Sequence, residues 1–236
     1  MAVEMGSSAT AVMNVVKTYA NAKDSMDSVL AKSKSAVALS NISGLDTTST
    51  TKALNTVSNA FKLMAEDGSN ATEVTERIGD ILTSVSKNMQ YDFGSGIQEL
   101  VSGIQESGNV AEQAGISLER YSAMIGAVVE ATGRSGSEIS NGIKMIAARV
   151  LQIKGLGEDL GVTSAEMGKA GTALSKFGIE VMNSDGSMRN LDSILKDLSD
   201  RWGTMTDSER QYVAEQVAGG LFCLARIYRN VYKELP

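Results

Sequence analysis

Residues 115–151 read GISLERYSAMIGAVVEATGRSGSEISNGIKMIAARVL, two amphipathic helices around a glycine turn. Ser117 is placed to cap the first, with Glu119 in its first turn. Leu118, Tyr121, Ile125, Val128 and Val129 recur at three- and four-residue steps and so share one face. Gly133 suits the left-handed residue that closes a helix. Ser135 and Glu138 have capping-box spacing: the serine accepts from the glutamate amide and the glutamate reaches back. Ile139, Ile143, Ile146 and Val150 form the second apolar stripe. A turn this short makes the two helices antiparallel neighbours. Spacing and composition by themselves stop at a soluble helical protein.

Outward from this stretch the same rhythm continues. Upstream, Val12, Val15, Val16 and Tyr19 outline one helix, and Met26, Val29 and Leu30 another. Asp46 or Thr47 starts a third, with Ala53, Leu54, Val57, Ala60, Phe61 and Met64 on one face, and Gly68 interrupts it. Val74, Ile78, Ile81, Leu82 and Val85 mark the next. Residues 92–96 read as a polar, glycine-containing turn before Ile97, Leu100, Val101 and Ile104 resume the helical spacing. Downstream, 153–161 is a glycine-rich loop or hinge. Ser164 can cap a helix that buries Met167, Leu174 and Phe177. Ile179 and Val181 alternate with polar neighbours ahead of Asn183-Ser184-Asp185-Gly186, so a β-hairpin is expected near 178–190, with positive φ at Gly186. Leu191, Ile194, Leu195, Leu198 and Trp202 form a late helix. Thr206 and Glu209 form a second capping box ahead of Tyr212, Val213 and Val217. The expected architecture is mainly α: an array of antiparallel helical hairpins with one small β-hairpin. Its segments are an N-terminal helical segment at 1–43, a helical core at 44–152, a loop, helix, β-hairpin and two helices at 153–219, and a divergent tail at 220–236. No strict repeat of 20–50 residues is present.

Composition narrows the function classes. The 236 residues suffice for one or two domains. Aromatics make up only 5%, and the single proline is the last residue, so nothing inside forces a helix to kink. Twelve methionines favour adaptable packing. A net charge of −6 argues against general nucleic-acid binding. One cysteine, Cys223, excludes an internal disulfide and a cysteine zinc site, and reads as a reduced thiol in a cytosolic product. Residues 1–30 lack a signal peptide's basic-then-apolar pattern, and no stretch approaches the roughly 20 apolar residues of a membrane span.

Chemical sites fare no better. Without histidine, Ser-His-Asp and Cys-His devices are impossible within these residues. Lys154–Gly161, KGLGEDLG, lacks the GK[ST] ending of a phosphate loop and the strand before it. Asn183–Gly186 lacks the alternating carboxylates and terminal glutamate of a calcium loop. The glycosylation sequons at Asn41 and Asn70 are three-residue matches of the kind chance supplies. No catalytic, cofactor-binding or metal-binding residue is assigned, and no cofactor is expected. Trp202 reads as core packing rather than an interface anchor. Arg134 and Arg149 read as a solvated turn residue and a helix-end charge. The basic residues Arg226, Arg229 and Lys233, beside Leu221, Phe222 and Leu224, read as a frayed terminus rather than a membrane contact.

Two blocks carry a resemblance. In the first, Glu130, Ala131, Thr132, Arg134, Ser135 and Gly136 match an EAT-x-RSG turn. Glu138, Ile139, Asn141, Ile143, Lys144 and Ile146 follow it, and Ala148 and Arg149 match an ARL-like end. In the second, Gly178, Ile179, Val181, Asp185 and Gly186 are followed by Leu191, Ile194, Leu195, Leu198, Arg201 and Trp202, and then by Thr206, Glu209, Ala214, Val217, Ala218 and Gly219. Present in this order, they resemble the core region of phage tail tape measure proteins, over roughly Ser43 to Gly219. After Gly219 the pattern departs: the family continues AGTRQ, whereas this chain reads Gly220, Leu221, Phe222, Cys223. The resemblance therefore implies a fragment of a longer tape measure chain.

It also implies a structural, non-enzymatic role in the tail of a phage or prophage. Such a protein lies in the tube lumen of the virion tail, after assembly in the bacterial cytoplasm. It templates tube polymerisation and helps set tail length. The implied partners are the tail tube protein, tail assembly chaperones and tail tip proteins, with homo-oligomerisation possible and no transmembrane segment. An alternative is a bacterial helical interaction or signalling module such as a chemosensory coiled coil. The many glycines and the poor persistence of a seven-residue repeat weigh against it. Some tape measure proteins carry peptidoglycan-cleaving domains elsewhere in the chain, but no such constellation is visible here.

Overall fold

The computed structural model describes residues 8–20, 25–65, 69–152, 157, 159–161 and 163–219. Among them are ten α-helices: α1 (Ala9–Ala20), α2 (Met26–Ser43), α3 (Thr47–Ala60), α4 (Ala71–Lys87), α5 (Phe93–Gln113), α6 (Leu118–Thr132), α7 (Gly136–Val150), α8 (Ser164–Ser175), α9 (Leu191–Trp202) and α10 (Asp207–Ala218). The chain forms two compact units, Met1–Gln105 and Glu106–Pro236. The tail 220–236, Gly68 and half of the Lys154–Gly161 loop lie outside the described residues, as does the side chain of Met167.

In the first unit α2 packs against α1, α3 and α4, and α3 against α1 and α4. Val12, Val15, Tyr19, Val29, Val37, Leu54, Val57, Ile78, Leu82, Ile97, Leu100 and Ile104 are buried. The helix read from Met26, Val29 and Leu30 is present as α2, although only Val29 of the three is buried. Met26 and Leu30 are exposed, and the buried side is made of Ser28, Val29, Lys32, Ser33, Ala36, Val37 and Leu39. Small residues let neighbouring helices approach closely, so α2 serves as a hub without a stripe of large apolar residues. Hydroxyl groups join the helices across this interface: Thr50 donates to the Ala36 carbonyl at 2.9 Å and Ser35 to Thr75 at 2.9 Å. The expected turn at 92–96 is the start of α5. Asp92 accepts from the Ser95 amide, and Gly96 lies against the Ser86 hydroxyl, where a Cβ would stand 2.4 Å away. These glycines serve close packing rather than chain reversal.

In the second unit α7 packs against α6, α8 and α10, and α8 packs against α10. Caps explain where the helices begin. Asp46, Ser117, Ser135, Thr163 and Thr206 each accept an amide of the following first turn. Thr206 and Glu209 make the complete reciprocal box. The Ser135 box forms only its serine half, with Glu138 exposed. The cap of α8 is Thr163, not Ser164, because Glu166 three residues later completes a box with Thr163. Phe177 is half-buried rather than in the core.

The β-hairpin expected at 178–190 does not form, and no strand occurs among the described residues. One isolated antiparallel bridge joins Met182 and Met188. Ile179 and Val181 are buried and Gly186 has φ +83°, so the alternation and the turn are as read. Asp185 accepts from both the amide and the hydroxyl of Ser187, which closes a tight Asx-type turn. The return arm then has only Met188 and Arg189 before Asn190 opens α9, too short a run to build a ladder.

Candidate functional site: where the two sequence blocks meet

The blocks 115–151 and 177–219 belong to the same unit, and three sets of side chains join them or close their surroundings. The first set lies where α5 gives way to α6. Gly115 has φ +75°, a conformation costly for any residue with a Cβ, and an added Cβ would stand 2.4 Å from Asn190 Oδ1. The Leu191 amide donates to the Ala114 carbonyl at 2.9 Å, and Arg120 pairs with Asp192 at 3.3 Å. The start of α9 is thereby fixed against the start of α6.

The second set is buried. α5 departs from helical geometry at Ser107, with φ −148° and ψ 17°. The Ser107 hydroxyl donates to the Ser140 carbonyl at 3.1 Å and lies against the Tyr121 hydroxyl. Tyr121 in turn donates to the Ser140 hydroxyl at 3.0 Å. α5, α6 and α7 thus share one closed hydroxyl cluster, and every member is satisfied. Burial, opposed by these hydrogen bonds, pushes the Tyr121 phenol up to about 12.

The third set centres on Arg149, in the last turn of α7. It is the helix-end charge its sequence position implied, but a buried one, only 7% exposed. Its Nη2 pairs with Glu166 Oε1 at 3.3 Å, reaching α8, and its Nη1 donates to the Glu215 carbonyl at 3.4 Å, reaching α10. Nε is buried with no acceptor. Gly219 ends α10 with φ +71° and lies on the guanidinium, where a Cβ would stand 2.4 Å from Nη1. Only glycine permits both that backbone and that approach. Glu166 is held below the usual carboxylate range, first by the Thr163 hydroxyl, then by the Thr163 amide, and less by Arg149. A recess of about 230 Å³ lies here, lined by Arg149, Glu166, Lys169, Glu215, Gln216 and Gly219. The ARL-like end of the first block and the AG end of the second are therefore in direct contact.

The remaining residues singled out from sequence are scattered. Arg134 is exposed in the α6–α7 turn. Trp202 is half-buried at the end of α9, its carbonyl accepting from Arg210 Nε at 2.9 Å, so the core reading holds in part only. Asn70 closes the turn before α4, accepting from the Ala65 amide and donating to the Leu63 carbonyl, while Asn41 is exposed. Sequence reasoning missed the Ser107–Tyr121–Ser140 cluster, although Ser140 borders the Ile139–Ile143 stripe and Tyr121 lies on the facing one. It also missed the burial of Arg149, which only its position between Ala148 and Val150 could have signalled. No described helix is long and apolar enough to cross a membrane.

This arrangement is structural: it ties helices together through hydroxyls, caps and one buried cation. The comparisons with known proteins point the same way. A relative described as a probable tape measure protein, from Escherichia phage P2, is 28% identical over 137 residues, which is 56% of this chain and 15% of that protein. The chain thus corresponds to a small part of that relative's length. No solved structure matches it significantly. The family model of phage-related minor tail proteins matches residues 1–219, a span that takes in both blocks and every tie between them, and the chain belongs to the phage-related minor tail protein family.

Proposed function

We propose that this chain is a segment of a tape measure protein, acting inside the tail tube, where it templates tube polymerisation and helps set tail length. The observation that carries this reading is the family match over 1–219 together with the tape measure relative from phage P2. The internal construction supports it: polar groups are spent on caps and interhelical ties, as in a protein whose work is mechanical rather than catalytic. On this reading the chain is not an enzyme. Its partners are the tail tube protein, tail assembly chaperones and tail tip proteins, and it passes through the host cytoplasm before reaching the tube lumen. Its helices form antiparallel hairpins, of which α6 and α7, joined by residues 133–135, are the type. The segments 1–43, 44–152, 153–219 and 220–236 serve as units for deletion.

The test is an in-frame deletion of residues 43–219 in the complete gene, read by electron microscopy of tails and by plaque formation. Shorter or absent tails are expected. Infectious tails of normal length would overturn the reading and favour a helical interaction module instead.

A further inference from the structure

We propose that Arg149 is a releasable clasp at the downstream edge of the second unit: it ties α8 and α10 to α7, and when it lets go those two helices open together while the α6–α7 pair stays folded. This does not depend on the tape measure reading. Among the described side chains the apolar anchorage of the two helices is slight. α8 buries Ala170, Ala173 and Leu174, and α10 buries Val213, Val217 and Ala218. The α6–α7 pair buries Leu118, Tyr121, Met124, Ile125, Val128 and Val129 from one helix and Ile139, Ile143, Ile146 and Val150 from the other. Burial energy scales with apolar area, so α8 and α10 lean on polar ties far more than α6 and α7 do.

Arg149 is the tie that reaches both. Its two bonds, at 3.3 and 3.4 Å, are long for hydrogen bonds, and Nε is buried without an acceptor. A buried cation so incompletely satisfied holds its neighbours without the stability of a saturated network. Glu166, its ionic partner, keeps 40% of its side chain exposed, so water and salt reach the pair. Gly219 transmits movement to it. The backbone there touches the guanidinium, so any displacement of the chain at Gly219 must displace Arg149. α8 and α10 also pack on each other, which makes their release concerted.

Hydrogen–deuterium exchange on the full 236-residue chain tests this. In Arg149→Met, amides of 170–175 and 213–219 should exchange faster by about tenfold or more, while those of α6 and α7 stay within about twofold of wild type. Raising salt should speed the same amides in wild type but not in Arg149→Met, a response that mere loss of packing volume would not remove. Should Arg149→Met fail to fold, Glu166→Gln and Gly219→Ala provide the reading. Each should speed the same two sets of amides and leave α6 unchanged. Unchanged exchange in α10, or α6 accelerating in step with it, would overturn the clasp.

Discussion

At the scale of single residues, Tyr121 and Gly115 show how a side chain and a missing side chain each hold a junction. Tyr121 lies on the apolar stripe of α6, yet its hydroxyl is the centre of the Ser107–Ser140 cluster. Its phenol is raised from 10.0 to about 12, so the neutral form is the folded one. A folded pKa above the unfolded value contributes stability that is complete below about pH 10 and is lost as pH rises toward about 12. A difference titration of phenolate absorbance, wild type against Tyr121→Phe, should therefore show a tyrosine ionising near pH 12 or at alkaline unfolding. A difference step near pH 10 would show the cluster to be open. Tyr121→Phe should cost roughly 1 kcal/mol in a denaturant melt, since Ser107 still donates to the Ser140 carbonyl. Gly115 and Gly133 both have positive φ, but of the two only Gly115 has a neighbour within 4 Å of where a methyl group would stand. Gly133→Ala should cost about 1 kcal/mol of backbone strain, and Gly115→Ala clearly more, because Asn190 must also move. Equal shifts in the unfolding midpoint would mean that the Asn190 contact is slack.

At the scale of elements, caps, periodicity and the adjacency of α6 and α7 were legible, and pairing between helices distant in sequence was not. Asp46, Ser117, Ser135 and Thr206 announce their helices because a short polar side chain before an apolar stripe has one obvious use. The two completed boxes differ from Ser135 by the returning glutamate. Ser135→Ala should cost about 1 kcal/mol, and Thr206→Ala somewhat more, because Glu209 also loses its contact with the Thr206 hydroxyl. The check is the midpoint of urea unfolding for each variant; a larger loss at Ser135 would rank the caps wrongly. Both returning glutamates, Glu166 and Glu209, have their carboxyls lowered by the capping threonines. A depressed folded pKa gives stability present above the ordinary carboxylate range and lost as pH falls through the folded value, so both helices loosen in acid. The β-hairpin misled because alternation at Ile179 and Val181 reports burial on one side, not a partner strand. α2 is the opposite case: its buried face mixes Ser28, Lys32, Ser33 and Ala36 with Val29, Val37 and Leu39, so hydrophobic size marks that face only faintly. Arg149 was invisible for a third reason. Its burial depends on α8 and α10, which lie far along the chain.

At the scale of the molecule, the architecture bears on how a length-setting role would work. A straight α-helix rises 1.5 Å per residue, so residues 43–219 drawn out as one helix would span roughly 260 Å. The chain instead folds into two compact units, and a unit of that size has a radius of gyration of roughly 14 Å. Folded, each contributes on the order of 35 Å to any length it helps to set. The two states therefore predict different tails from the same in-frame deletion. If the units remain folded in the tail, tails that still assemble should shorten by far less than about 260 Å, and assembly failure should outnumber measured shortening. This is the expected outcome, because the caps, the closed hydroxyl cluster and the buried tie at Arg149 all favour the folded units over an extended helix. A loss close to the roughly 260 Å of the drawn-out helix, measured on intact tails, would show that these ties are undone during assembly, and that the segment measures in its extended form.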